Sequence, residues 1–326
     1  MRIATISHSH VAPRQQLFFK EVARQGHDVL MISPGQWHDY RVRDYLAQYD
    51  KGCLVFRTCR HIGQDAIYTY ELLGIKEIVD DFKPDWLYIQ AEAGAVQTAK
   101  ALELRKCRKA LFVWENIKIP TMGIPHLEQC DLVVCGNKEA ENLVKPYNAN
   151  TALMLQVGID TDHFAARPGV KRDIGVAYIG RRTPEKGLPY LLQAYPTACI
   201  LDYIDFIDLP WKYSQVQVLV AYSQDIPQWN EQAPNYVVLE GLACGCKAVT
   251  SDTAAMKFWL QGAPGIVMVE GHLQYDPTIK LGRVIALNKG INKALDMKIG
   301  DEGRQWVMDN FSNPVLAKKL VETLGC

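Results

Sequence analysis

The chain has 326 residues, 36 basic and 36 acidic, so its formal charge at neutral pH is zero; that excludes binding to nucleic acid through counterion release. Apolar residues make up 48% and charged residues 22%, which excludes a disordered or fibrous chain and suits two domains of about 150 residues each. No apolar stretch reaches the length of a membrane span, and the apolar start MRIATISHSH halts at His8, too early for a signal sequence, so a cytoplasmic location is expected.

Short apolar runs alternate with amphipathic stretches from residue 2 onward. Ile3–Ile6, Pro13–Gln25 and Val29–Ile32 read as strand, helix and strand, with Gly26 closing the helix. Further strands are expected at Trp86–Ile89, Ala110–Trp114, Leu132–Cys135 and Ala152–Val157, with helical stretches at Ala95–Leu104 and Lys138–Val144 between them. The segment 158–171 is loop-like, and Ile174–Ile179 starts a second strand and helix series that continues through Cys199–Ile204, Val216–Ala221 and Lys247–Thr250. From about Ile285 only helical patterns remain. The expected organisation is α/β: a Rossmann-like domain over 1–157, an interdomain crossing over 158–172, a second Rossmann-like domain over 173–311, and a C-terminal helix within 312–326 packing back toward the first domain. Two doubly wound domains facing one another would place the ligand in the cleft between them, at the carboxyl ends of their strands. The nine cysteines are odd in number, scattered and mostly within apolar runs, so reduced thiols acting as small hydrophobes are expected.

Two segments carry chemistry. Gly180-Arg181-Arg182-Thr183-Pro184-Glu185-Lys186-Gly187 follows a strand and opens a helix, which puts Arg181 and Lys186 where two fixed cations suit a diphosphate; solvated basic side chains on a loop are the alternative. It lacks the Gly-Lys-Ser/Thr ending of a Walker A loop. In Glu231-Gln232-Ala233-Pro234-Asn235-Tyr236-Val237-Val238-Leu239-Glu240, Asn235 is placed to cap a short helix whose first amides, at Tyr236 and Val237, would face an anion. Glu240 is flanked by apolar residues and needs a partner, for which a ligand hydroxyl is the expectation.

Together with GIDTDHF at 158–164, FVWENIKI at 112–119, CGNKEAENLV at 135–144 and RQWVMDNFS at 304–312, these segments resemble, in order and spacing, the retaining, metal-independent glycosyltransferases of family four, which have the GT-B fold. The resemblance covers nearly the whole chain. It implies transfer of a hexosyl group from a nucleoside diphosphate sugar, UDP- or GDP-linked, to a hydroxyl acceptor, with no metal and no other cofactor. It implies that Arg181 and Lys186 hold the donor diphosphate and that Glu240 holds the ribose. A third role, contact with the donor hexose, matches Glu231. The family separates its two glutamates by seven residues; here eight lie between Glu231 and Glu240, so either the loop carries one extra residue or Gln232 takes the place of the first glutamate. Pro234 and Asn235 replace the usual Phe-Gly.

His8, His10 and Arg14 lie in the loop that usually sits under the acceptor, and Glu92 and Asn116 follow strands, so all five are expected to line the acceptor side. His8 and His10 lack a third metal ligand at suitable spacing, Asp160 and Asp162 fall on the crossing, and Cys244-Gly245-Cys246 ends a helix, so no metal site is expected. The basic run Arg105, Lys106, Arg108, Lys109 is read as a solvated helix end, with weak peripheral contact to an anionic membrane carrying a lipid-linked acceptor as the alternative; a saccharide or small-molecule acceptor fits equally. A GT-B epimerase or phosphorylase, or a nucleotide-binding partner subunit without activity, are the competing readings.

Overall fold

The computed structural model describes residues 1–38, 40–41, 54–202, 204–271, 281–298 and 300–325. It divides into two compact units, Met1–Gly158 with Asn313–Cys326, and Ile159–Ser312.

In the first unit, runs that are apolar on both faces require cover on both faces, and a parallel sheet between helices supplies it. The strands are β1 (Arg2–Ile6), β2 (Asp28–Pro34), β3 (Leu54–Cys59), β4 (Trp86–Ile89), β5 (Arg108–Val113), β6 (Leu132–Cys135) and β7 (Thr151–Leu153). They pair in the order β7-β6-β5-β4-β1-β2-β3, every pair parallel. The chain therefore winds outward in one direction from β1 to β3 and in the other from β4 to β7, and the loops leaving β1 and β4 diverge at that reversal. Helices α1 (Pro13–Arg24), α2 (Ile75–Phe82), α3 (Val96–Leu102), α4 (Ile124–Glu128) and α5 (Lys138–Val144) belong to this unit. Pro13 starts α1 at a position that has no helical acceptor to lose, and the helix buries Phe18, Phe19 and Val22. Asn137 caps α5, its side chain accepting the Ala140 amide at 2.7 Å.

The second unit repeats the scheme with β8 (Ile174–Ile179), β9 (Cys199–Leu201), β10 (Val216–Ala221), β11 (Lys247–Ser251) and β12 (Ile266–Val269), in the order β9-β8-β10-β11-β12 and again all parallel. Its helices are α6 (Leu188–Ala194), α7 (Leu209–Gln215), α8 (Tyr236–Ala243), α9 (Ala254–Leu260), α10 (Leu281–Asp296) and α11 (Glu302–Phe311). Helix α8 is apolar on nearly every side, and Val238 through Ala243 are all buried, so it is a core helix. Its last carbonyls cannot reach water and are met by two guanidinium groups. Arg304 donates to Ala243 O at 2.8 Å, and also to Phe164 O at 2.8 Å and Thr161 O at 3.0 Å; Arg172 donates to Cys244 O at 2.5 Å and Val216 O at 2.6 Å. The final helix, α12 (Asn313–Thr323), belongs to the first unit, where Gln25 at the end of α1 donates to Pro314 O at 3.0 Å.

Two strands of the parallel sheets were not expected, nor were the short antiparallel pairs Gln36–Trp37 with Tyr40–Arg41 and His61–Ile62 with Glu71–Leu72. Strand β3 lies at the sheet edge, and its Arg57 and Thr58 are exposed, which breaks the apolar run that marks the inner strands. Strand β12 has four residues and is also an edge. The run expected over Cys199–Ile204 stops as a strand at Leu201, opposite Ile179, where its partner strand β8 also ends, and Asp202 beyond it pairs with Arg182. Cys53 and Cys326 lie outside the described residues; the other seven cysteines are free thiols.

Replacing Arg304 with Met strips donors from three carbonyls and should lower stability by about 2–4 kcal/mol, read as a fall in the urea midpoint at unchanged slope. An unchanged midpoint would show that water replaces the guanidinium at no cost.

Candidate functional site

The reversal of strand order in the second unit lies between β8 and β10, and the loops that leave these two strands carry the candidate residues. The first loop is pressed onto the exit of β10. A side chain at Gly187 would put its Cβ 2.1 Å from Tyr222 O, and φ there is +66°, so both space and backbone demand glycine. The amide of Gln224 donates to Glu185 O at 2.8 Å, tying the second loop to the first.

Lys186 occupies the junction. Its Nζ lies 2.8 Å from Glu231 Oε2, 3.5 Å from Ser223 Oγ and 4.6 Å from the centre of the Trp229 ring. The Lys186 side chain is 14% exposed and that of Glu231 5%, so this ion pair is largely cut off from water. The loop holds Glu231 from behind: its amide donates to Asp225 Oδ1 at 2.9 Å, and Ile226 and Trp229 exchange two backbone hydrogen bonds at 2.8 and 3.0 Å. Arg181 sits on the same loop as Lys186 with its side chain 67% exposed, paired to Glu185 at 3.4 Å. A cation in solvent and a carboxylate beside a second cation can grip an anion and a hydroxyl side by side.

Gln232 lies next to this pair with its amide on Glu231 Oε1 at 3.2 Å, so it is Glu231 that meets Lys186. Asn235 stands at the start of α8, yet its side chain does not cap the helix. With φ +59° it takes the left-handed conformation more usual for glycine, and its Nδ2 donates to Ser223 Oγ at 3.4 Å. Tyr236 and Val237 open the helix and are partly buried. Glu240 is wholly buried, and its Oε2 accepts the Tyr213 hydroxyl at 2.9 Å. One partner of this carboxylate is thus a tyrosine of α7.

In the first unit the reversal lies between β1 and β4, and His8 and Glu92 follow those strands. His8 sits against Trp37 at 4.6 Å and Tyr70 at 5.5 Å, and burial, with a smaller contribution from His38, lowers its pKa to about 4, so it is neutral at physiological pH. His10 does not line a surface. It is fully buried, 3.0 Å from Thr5 Oγ1 and edge-on to Phe19, a core residue that directs no atom to solvent. Arg14 is partly buried in the first turn of α1. Glu92 accepts the Trp114 amide at 3.1 Å and the Glu115 amide at 3.2 Å. Burial and the nearby Glu115 charge nevertheless raise its pKa to about 7 against those two donors. Tyr68 donates to Glu115 at 3.1 Å, and Asn116 beside it is buried.

Among the described residues, no group of three His, Cys, Asp or Glu side chains could hold a metal ion. Asp160 accepts the amides of Asp162 and His163, a turn role. Burial pushes the thiols of Cys244 and Cys246 up, the latter to about 12, and leaves them unreactive. In the basic run, Arg108 lies 5.4 Å over the Trp86 ring while Arg105 and Lys106 are exposed. Among the described residues no helix is long and apolar enough to cross a membrane. Sequence reasoning overlooked Trp229, Ser223 and Asp225. An aromatic residue two positions before Glu231 was the one available signal, and its contact with Lys186 depends on the fold of the loop.

No family model matches the chain, and no curated protein matches it. Solved structures match it over nearly its whole length. Sucrose-phosphate synthase from Thermosynechococcus elongatus is 14% identical, with a TM-score of 0.73 over 99% of this chain and 98% of that one. The HepE protein of Anabaena in complex with UDP and glucose is 13% identical, with a TM-score of 0.69 over 99% of each chain. A glycosyltransferase from Rickettsia africae is 14% identical, with a TM-score of 0.69 over 98% and 97%. At these identities the likeness establishes the fold, and the two Rossmann-like units are those of the GT-B architecture.

The raised Glu92 carboxyl has a measurable consequence. The folded protein holds its proton through the interval from about pH 4.5 to about 7, in which an unfolded glutamate releases it, so this group makes stability fall as pH rises across that window. Carboxyl-carbon NMR should place its midpoint near 7; a midpoint at or below the ordinary glutamate value would remove burial as the dominant influence.

Proposed function

We propose that the protein transfers a hexosyl group from a nucleoside diphosphate sugar to a hydroxyl acceptor, with retention at the anomeric carbon. The observation that carries this reading is the contact of Lys186 with Glu231 across two loops at the reversal of strand order, with Arg181 exposed on the same loop. The solved structures named above support it: one is a sucrose-phosphate synthase, and another is crystallised with UDP and glucose, which favours a UDP-linked donor over a GDP-linked one.

In this reading Arg181 and Lys186 receive the diphosphate, joined by the amides of Tyr236 and Val237 at the start of α8. As the glycosidic bond breaks, negative charge grows on the leaving phosphate, and Lys186, already held in place, stabilises that charge without the reorganisation that water would need, with Arg181 adding its charge from solvent. Glu231, fixed from behind by Asp225, accepts hydrogen bonds from hexose hydroxyls. Its own partner, Lys186, is the group that meets the phosphate, so sugar and leaving group are registered against one another. Glu240, held by Tyr213, keeps α8 in place and is assigned the ribose hydroxyls, since a carboxylate accepts further hydrogen bonds beside that one. The departing phosphate oxygen takes the proton of the acceptor hydroxyl on the same face of the sugar, and no nucleophilic carboxylate is invoked. His8, Glu92 and Asn116 are assigned to the acceptor, Glu92 as a hydroxyl partner.

Lys186→Ala should weaken UDP binding about 10- to 100-fold, and Arg181→Ala by less, since its side chain is already largely solvated. Isothermal titration with unchanged dissociation constants in both variants would remove the diphosphate from this loop. Glu231→Gln should reduce turnover about tenfold or more at nearly unchanged UDP affinity, and Gln232→Ala should be mild. The reverse pattern would give the hexose to Gln232. UDP binding without transfer or donor hydrolysis would mark an inactive partner subunit. Turnover should survive excess chelator, because the fixed cations stand where other transferases use a divalent ion.

A further inference from the structure

A second concave site lies on the second unit, at the opposite end of its sheet. It is a cavity of about 640 Å³ lined by Arg172, Gln217, Gly245, Lys247 and Lys298 with neighbouring residues of the α10 end. Arg172 precedes β8, Gln217 is the second residue of β10, and Lys247 is the first of β11, so the cavity opens at the amino ends of these strands. The Lys186 and Glu231 cluster sits beyond their carboxyl ends, about 20 Å away across a six-residue strand. The two sites are separate.

Three cations and no carboxylate are found among the described residues that line it. Two of the cations are held in place. Arg172 is fixed by the carbonyls of Tyr213, Val216 and Cys244, and Lys247 Nζ donates to Leu295 O at 2.9 Å and Met297 O at 3.1 Å, which leaves one ammonium hydrogen for a ligand. Lys298 is exposed at the rim. Gly245 has no side chain to fill the floor, and it can have none, since a Cβ there would lie 2.7 Å from the Arg172 guanidinium at a φ of +79°. Burial lowers the Lys247 pKa, and of the neighbouring charges Asp296 raises it more than Arg172 lowers it. The volume falls within the range of about 300–1,000 Å³ typical of small-molecule sites and far exceeds what a bare phosphate ion fills.

We infer that this cavity binds a phosphate monoester of metabolite size, its phosphate held by Arg172, Lys247 and Lys298 and its organic part lying over Gly245 and Gln217. Because Arg172 also holds the last turn of α8, the occupant would meet the far end of the helix that opens beside the candidate donor cluster.

The inference is independent of the proposed transferase activity. The full chain is titrated calorimetrically with glucose 6-phosphate, inorganic phosphate and glucose, and the first is expected to bind about tenfold tighter than the second, with no heat from the third. Lys298→Glu and Lys247→Gln should each weaken glucose 6-phosphate binding about fivefold or more, while Lys186→Ala leaves it unchanged. If Lys247→Gln does not fold, Lys298→Glu decides alone, since that side chain is at the surface. Absence of binding, equal affinity for the two phosphates, indifference to Lys298→Glu, or loss in Lys186→Ala would each overturn the inference, the last by placing the phosphate at the carboxyl ends of the strands.

Discussion

The contact between Lys186 and Glu231 is the constraint around which the second unit's loops are arranged. Two opposite charges at 2.8 Å with little access to water are costly to desolvate, by several kcal/mol for each ion, and the attraction between them offsets that cost only if their remaining hydrogen-bonding capacity is also met. The loops meet it. Ser223 and the Trp229 ring lie against the ammonium, and the Gln232 amide faces the carboxylate. Removing either partner alone would strand a buried charge, so the two loops are held as one body. The close approach of Gly187 to Tyr222 and the bond from Gln224 to Glu185 have the same effect through the backbone. A diphosphate arriving beside Lys186 would share the ammonium with a carboxylate already in place, so that Glu231 is oriented by the same cation that meets the donor.

Helix α8 carries this arrangement into the core. It begins at Asn235, which turns in the left-handed region beside Ser223, and ends on carbonyls bound by Arg172 and Arg304. Between these ends Glu240 is anchored to Tyr213. A helix so apolar could slide or rotate at little cost if packing alone held it; a buried carboxylate bonded to one hydroxyl and two guanidinium groups at one end fix its register. The same Arg172 lines the cavity at the amino ends of the strands, so the two ends of α8 are the physical connection between that cavity and the candidate donor cluster.

Much of this was legible in the sequence because parallel strands buried on both faces are written as unbroken apolar runs, as at Val29–Ile32, Leu132–Cys135 and Val216–Ala221. Strand β3 was missed because Arg57 and Thr58 break its apolar run, whereas β12, apolar throughout Ile266–Val269, was missed although its run is unbroken in the sequence. Gly180–Gly187 could be placed because it is short and local, and so could the start of α8. What could not be read was which side chain each polar group would meet. Glu240 needed a partner, but nothing near it in sequence pointed to Tyr213, 27 residues away. His10 carried the chemistry of a site residue and proved to be part of the core, because the turn after β1 directs it inward against Phe19. The ambiguity between Glu231 and Gln232 was a matter of one residue of loop length, and only the path of the loop through Asp225 and the Ile226–Trp229 turn sets Glu231 against Lys186.

Hydrogen–deuterium exchange of the full chain with and without UDP bears most directly on the central claim that the loops after β8 and β10 form one donor grip. Slowed exchange in 180–187 and 224–237 together, with equal dependence on UDP concentration, is the predicted result. Protection confined to one of these loops, or to strands of the first unit, would contradict it.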